Sequence, residues 1–432
     1  MKKIKILVIF LLLAVNFLLL PSKGTGDVIN WQTLTGKIIS SKTDKMIPGC
    51  LNYDCPVFYP VTYPPGHFLI TYFFASVLPV DILGALLTVK LSILFFYIIS
   101  PAIIFLFLKN FPAGGRKISV LDLILAYLLT LSFILNAQGL GYTDFFTVPF
   151  LVLGLLFLFK NNYFLAGLFY SAGSLVKWQP AIIAPLLITH IFKTSDKRIK
   201  SVFLFIAGIL LPVFMLLPLN PRIFIALKNS LINGAILNPF MSAGLNFQFV
   251  TAFFLNRFFP GSVSPLPEKS LNYVFIPSPE FSLITLLPKI IFGFIYFFIL
   301  ARFAGIRKIS SGRYLFLLET AWVVYLLYFF VSSAVHENHL FLALIFAFLS
   351  FAANPGVKNR LNLYLLDFLN FVNLFIFYGY SGKPPFNLQT TVTYSFLLAV
   401  LFSFLIFPVV LYLYFFPFSA PGRLPKIRTE MK

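Results

Sequence analysis

The apolar residues of this chain gather in long, uninterrupted blocks, and that grouping restricts the possible folds more than any other feature. A helix rising about 1.5 Å per residue needs about 20 apolar residues to cross about 30 Å of hydrocarbon, with about 17 as the short limit. Blocks that meet or approach this length run from Ile4 to Leu20, Ile82 to Leu108, Ile118 to Leu135 and Phe145 to Phe159. Tyr163 to Val176 and Ala181 to Phe192 are shorter and read as a bent or paired crossing. Val202 to Leu217, Ile284 to Ala301, Leu315 to Val331, Leu340 to Ala352, Leu361 to Tyr378 and Val392 to Phe416 bring the count to twelve. With 59% of residues apolar, 11% charged and a mean hydropathy of +0.92, one soluble core cannot absorb this much apolar surface. The fold expected is an all-α, polytopic transmembrane bundle of about 12 spans, a single domain over 1–432.

Charge orients the bundle. The formal charge of +20 excludes no partner by itself, but nucleic-acid binding needs a basic face on a soluble module. Here the basic residues sit in short turns between apolar blocks, so membrane lipids and not nucleic acid are the expected surroundings. With the N-terminus inside, 21 of the 33 Lys and Arg residues fall in cytoplasmic segments, as the positive-inside rule requires. Phe68 to Val80 is too short to span and reads as a re-entrant or interfacial helix; a full crossing there would put the basic turn at 114–117 outside. Both termini are then cytoplasmic, with a basic tail over 418–432. Met1 to Lys23 starts like a signal peptide but lacks a convincing cleavage site, so it reads as an anchor.

Two outer segments, 21–66 and 220–281, are too long for plain connectors and are expected to fold over the outer mouth. The first holds both cysteines, Cys50 and Cys55, either a disulfide candidate or two free thiols. Asp27 follows the first block, and Asp144 opens a later one. Each reads either as a helix N-cap or as part of a polar site at the interface. Lys177, in Leu-Val-Lys-Trp-Gln-Pro, interrupts two apolar half-spans on the outer side and needs a partner: Asp144, or the phosphate of a lipid-linked substrate. In Val-His-Glu-Asn-His, His336 and His339 are three apart and would share one face of a helix, with Glu337 turned about 100° away. That cluster could hold a metal, hydrogen-bond a sugar or phosphate, or simply stabilise a helix end. Tyr53 to Tyr63 offers rings for stacking or an interfacial aromatic belt. Arg257 reads as a phosphate contact or as a surface arginine. Asp367, inside a span, is either a proton site or paired within the bundle.

The early outer Asp27, Tyr63-Pro64-Pro65 before a short helix, Asp144, Lys177-x-Gln179-Pro180 and His-Glu-x-His before a Leu-rich span occur in an order that resembles the GT-C glycosyltransferases. They are most similar to prokaryotic membrane proteins related to the GPI mannosyltransferases. The Tyr-Pro-Pro and Val-His-Glu motifs are also similar to those of the dolichyl-phosphate-glucose-dependent glucosyltransferases. Two departures stand out: the second acid lies in Ala-Gln-Gly-Leu-Gly-Tyr-Thr-Asp in place of Gly-Gln-x-Asp, and Asn338 follows His-Glu where Arg or Lys is usual.

The resemblance implies an inverting transferase in the cell membrane that moves a hexose, mannose first, from a polyprenyl-phosphate donor to a glycan or glycolipid acceptor on the extracytoplasmic face. Asp27 is then the catalytic base. Lys177, His336 and Arg257 bind the donor phosphate, and Tyr63, Asp144, Gln179, Glu337 and His339 bind substrate. Asp144 would orient Lys177 or hold a divalent cation, Mg or Mn; the metal requirement is unknown. A secondary transporter, a lipid flippase and a lipid-linked oligosaccharide ligase are the alternatives. A transporter predicts internal repeats and mid-membrane charges. No repeat is visible, and the polar groups gather at one face.

Overall fold

In the computed structural model, residues 2–22, 24–41, 64–111, 118–218, 223–232, 240–264, 274–276, 282–305 and 312–378 are described. They are almost entirely helical. The span expected at Val392 to Phe416, the tail at 418–432, Cys50, Cys55 and Tyr63 lie outside the described residues.

Helix α1 (Lys2–Leu19) presents Leu7, Phe10, Leu11 and Leu18 outward and buries Asn16 and Leu19 against the bundle. A short link leads to α2 (Gly26–Ser41), and α3 (Pro65–Val77) precedes the long α4 (Val80–Lys109). At 13 residues, about 20 Å long, α3 is too short to cross, in keeping with the re-entrant or interfacial reading. Gly84 interrupts the start of α4 with φ 73°. The block read as a span at Ile118 to Leu135 is broken. It consists of α5 (Val120–Leu129), α6 (Leu131–Ile134) and a π-turn (Leu135–Leu140), with a 66° bend between the two parts.

A 3₁₀ turn (Thr143–Thr147) then leads into α7 (Val148–Phe159), which hairpins into α8 (Tyr163–Val176). A second 3₁₀ turn (Gln179–Ile183) opens α9 (Ala184–Thr194), followed by α10 (Arg198–Met215) and α11 (Ile223–Leu231). Strand β1 (Phe240–Ala243), α12 (Phe247–Phe258) and β2 (Val274–Phe275) belong to the second long outer segment. Then come α13 (Ser282–Gly305), α14 (Gly312–Val331), β3 (Val335–His336), a third 3₁₀ turn (Glu337–Leu340), α15 (Phe341–Ala353) and α16 (Val357–Tyr378). β1 is the middle strand of a small sheet, antiparallel to β2 and parallel to β3, with Ala243 opposite His336.

Four described helices are long and apolar enough to cross a membrane, or five if the bent pair counts as one span. The expectation of about twelve full spans is therefore met only in part. The shortfall has a physical cause. α7 and α15, 12 and 13 residues long, are about 18–20 Å in length, and both are largely or wholly buried. A helix enclosed by other helices satisfies its backbone internally and meets no lipid, so it need not match the bilayer thickness.

The two ends of the bundle differ in chemistry. Lys5 pairs with Asp122, so the starts of α1 and α5 lie at one end. An aromatic cluster joins further helix ends there: the rings of Phe111, Phe159 and Tyr314 are in contact, and Tyr314 and Phe303 flank His190. The exposed Lys109, Lys160, Lys193 and Arg302 lie next to these rings in the chain. These five basic residues thus lie at one end, and the polar cluster described next forms at the opposite one.

Candidate functional site

Lys177 is placed by the way α8 ends. Pro180 cannot continue a helix, and Lys177 takes an extended conformation (φ −152°, ψ 141°) as the C-cap. The hydroxyls of Tyr170 and Tyr325 donate to the Pro180 carbonyl at 2.7 and 3.3 Å, which locks the turn. The Lys177 ammonium then forms an ion pair with Asp144 Oδ1, the two residues being 7% and 1% exposed. Asp144 Oδ2 accepts from Asn136 Nδ2 at 3.1 Å, and Thr147 Oγ1 donates to the Asp144 carbonyl at 2.7 Å. Of the two partners weighed for Lys177, the structure contains Asp144. Asp144 is not an N-cap: it lies inside the 3₁₀ turn, and its carboxylate serves Lys177 and Asn136.

Three histidines surround this pair. His67 escaped the sequence reading, although it follows Tyr63-Pro64-Pro65-Gly66 directly. Gly66 brings it in: a Cβ there would meet the Leu175 carbonyl oxygen at 2.7 Å, so only glycine allows α3 to rest on the end of α8. The buried His67 ring stacks on Trp31 at 3.7 Å and meets Phe146 at 5.5 Å. Burial, then the charge of Lys177, holds its pKa well below 6.5.

His336 and His339 do not share a helical face as expected. His336 is extended in β3, drawn into that conformation by pairing with β1, and His339 follows in the 3₁₀ turn. Their rings still meet at 5.3 Å. Burial and Lys177 lower the His336 pKa to about 4, against the opposing pull of Asp144. His336 is itself exposed to solvent, so water screens much of that shift. Burial, then His336 and Lys177, hold the His339 pKa well below 6.5. At pH 7 all three rings are neutral, so they act as hydrogen-bonding groups and not as cations.

Asp27 lies in the first turn of α2, half-buried, inside the helix and not at its N-cap. Trp31, one turn on, shares its face and stacks on His67, which connects Asp27 to the cluster. The entry to α2 is pinned. Gly24 (φ 71°) turns tightly against Leu140, whose carbonyl accepts from Thr25 N at 2.9 Å. Ser22 Oγ donates to the carbonyls of Gln138 and Gly139 at 3.0 Å. Lys90, fully buried, donates to the Gln138 carbonyl at 2.5 Å. The sequence reading also missed Lys90; its signal is a lone lysine inside a long apolar block.

Gln179 is buried two residues from Lys177, with no partner for Nε2 among the described residues. Arg257 is exposed in the last turn of α12 and pairs with no carboxylate among the described residues. The side chain of Glu337 lies outside those described. Asp367 accepts from the amides of Leu131 and Ser132 at 3.1 and 3.0 Å, so it caps the broken helix at α6. Of its two readings, pairing within the bundle is the one observed. Asp144 commits both oxygens to Lys177 and Asn136, and no three His, Cys, Asp or Glu side chains converge among the described residues. No protein-family model matches the chain, and no curated protein matches it significantly.

Proposed function

We propose that this protein is an integral-membrane inverting glycosyltransferase that moves a hexose, mannose first, from a polyprenyl-phosphate donor to a lipid-linked or surface glycan. The observation that carries the reading is the meeting of the Asp144–Lys177 pair, His336, His67 and the Asp27 helix at the end opposite the basic one. By the positive-inside rule the basic end is cytoplasmic, so the site faces the outside of the cell membrane.

The chemistry needs a base and donors for a departing phosphate. Asp27 takes the proton of the acceptor hydroxyl. The freed oxygen attacks the anomeric carbon from the face opposite the phosphate, the bond from that carbon to the phosphate oxygen breaks, and the phosphate leaves with the electron pair. Lys177 has three N–H donors and uses one on Asp144, which leaves two for the phosphate. His336, neutral, adds a further N–H. Asp144 holds Lys177 in place. The apolar sides of the bundle receive the lipid tail.

The test is sugar transfer by the purified protein from a panel of short-chain polyprenyl-phosphate sugars, wild type beside Asp27→Asn. One donor should turn over, and the variant should lose that turnover while binding the donor normally. Retained turnover in Asp27→Asn removes Asp27 as the base. Donor binding with no transfer to any acceptor, together with passage of the lipid across a bilayer, would establish a flippase instead.

A further inference from the structure

A lysine with no exposed surface stands between the two halves of the site. Lys90 on α4 is 0% exposed, and among the described residues no carboxylate pairs with it. Lys109 ends the same helix at the basic end, and Lys90 sits about 28 Å of helical rise away, at the level of the polar cluster.

Its surroundings explain how the charge is held there. The Lys90 ammonium donates to the Gln138 carbonyl at 2.5 Å, to Ser22 Oγ at 3.2 Å and to the Gly139 carbonyl at 3.5 Å. Its three N–H groups thus meet three oxygens, which is all that an ammonium can use. Two of those oxygens belong to the π-turn, where the carbonyls at the end of the broken helix carry partial negative charge. Ser22 Oγ also lies 3.0 Å from each of the same two carbonyls, and the next one along, Leu140, accepts from Thr25 N at 2.9 Å. The link into α2 and the π-turn therefore share one set of hydrogen bonds, with Lys90 inside it.

The packing around this set is tight. A Cβ on Gly141 (φ 72°) would come within 2.4 Å of the Val28 side chain and 3.2 Å of the Lys90 ammonium, and Val28 adjoins Asp27. From the π-turn the bonds continue to the other half of the site. Tyr142 N donates to the Asn136 carbonyl at 2.9 Å, and Asn136 Nδ2 donates to Asp144 at 3.1 Å. One side of the set thus holds the first turn of α2 with Asp27, and the other holds the carboxylate that pairs with Lys177. Without the ammonium, Ser22 is the one remaining side-chain donor to the two π-turn carbonyls among the described residues.

We infer that Lys90 is a positioning residue: its ammonium clamps the entry of α2 to the π-turn and so sets the separation of Asp27 from the Asp144–Lys177 pair. The clamp stands on these contacts alone. Its consequence for transfer rests on the proposed roles of Asp27 as base and Lys177 as phosphate contact.

The experiment uses the full chain in lipid nanodiscs, with Cys50 and Cys55 replaced by Ser and spin labels at Ile29→Cys on α2 and Leu131→Cys on the broken helix, both exposed positions. Electron double resonance gives the distance distribution between the labels for this parent, for Lys90→Met and for Ser22→Ala. Donor binding and transfer from short-chain polyprenyl-phosphate sugars are measured on the unlabelled proteins. Lys90→Met should broaden or shift the distribution and lower kcat about 100-fold, the effect of about 1 Å of misplacement, with the donor Kd within about twofold of wild type. Ser22→Ala removes one arm and leaves the buried charge in place, so it should move both readouts the same way by less; it decides the matter if Lys90→Met does not fold. An unchanged distribution in a folded variant overturns the clamp, whatever happens to kcat. A changed distribution with wild-type kcat, or a loss confined to the melting temperature, overturns the positioning role and leaves Lys90 a core residue. A changed distribution in a protein that transfers no sugar even as wild type sinks the transferase reading and leaves the clamp standing.

Discussion

Replacing Asp144 by Asn tests the pair at the centre of the site. The side chain keeps its size and an oxygen to accept from Asn136, but the Lys177 ammonium, 7% exposed, loses its only counter-charge among the described ion pairs. Breaking a buried pair by removing one partner costs about 3–5 kcal/mol, because the remaining charge stays desolvated. For 432 residues the unfolding entropy is about 0.9 kcal/mol per degree. The apparent Tm should therefore fall by about 3–6 °C in detergent, compared at one scan rate because membrane proteins often unfold irreversibly. Lys177→Met should cost a similar amount by stranding Asp144. The double variant Asp144→Asn with Lys177→Met should recover most of the loss, since no charge is then buried. If the double variant loses the sum of the two single losses, the groups are not coupled and the assignment of Lys177 to Asp144 is wrong.

Two further outcomes follow from the geometry. Gly66→Ala puts a Cβ 2.7 Å from the Leu175 carbonyl, so α3 must shift and carry His67 with it. The expected loss is about 1–3 kcal/mol of stability together with most of the transfer activity. Gly36→Ala, with nothing within 4 Å, is the matched control and should leave the melting temperature and transfer rate within error of wild type. His336 has a folded pKa of about 4 against an ordinary 6.5, so the unfolded chain takes up its proton first as pH falls. The stability linked to His336 is present above about pH 6.5 and is lost as pH falls towards 4. His336→Gln should flatten that part of a melting-temperature profile; an unchanged slope would remove His336 as its source.

Much of the arrangement can be read from composition and order. Apolar blocks define helices because hydrocarbon tolerates no unpaired backbone, and Lys177 stands out because a lysine at the outer edge of a block needs a partner. The order Asp27, Asp144, Lys177 and His336 along the chain pointed to one cluster; Asp144 and Lys177 pair, His336 lies near enough to feel both charges, and Asp27 is one helical turn from Trp31. His67 and Lys90 were not legible. His67 matters only because Gly66 permits close contact with α8, and Lys90 only because its ammonium reaches carbonyls 48 residues away in sequence. The extended His336 was hidden for a similar reason: its partner strand lies about 90 residues earlier, in the second outer segment.

The sequence by itself determined that the chain is helical and suited to a membrane, and that its basic residues sit at the turns on one side. Those properties come from local composition, which acts through the length of a block and the cost of burying charge. Tertiary structure decided which helices need not span, because enclosure by neighbours frees α7 and α15 from the bilayer thickness. It also decided that Asp144 pairs with Lys177, and that Asp367 caps a broken helix. Such pairings depend on which chain segments come within about 3 Å of one another, and a pattern of residues along one chain does not encode that separation directly.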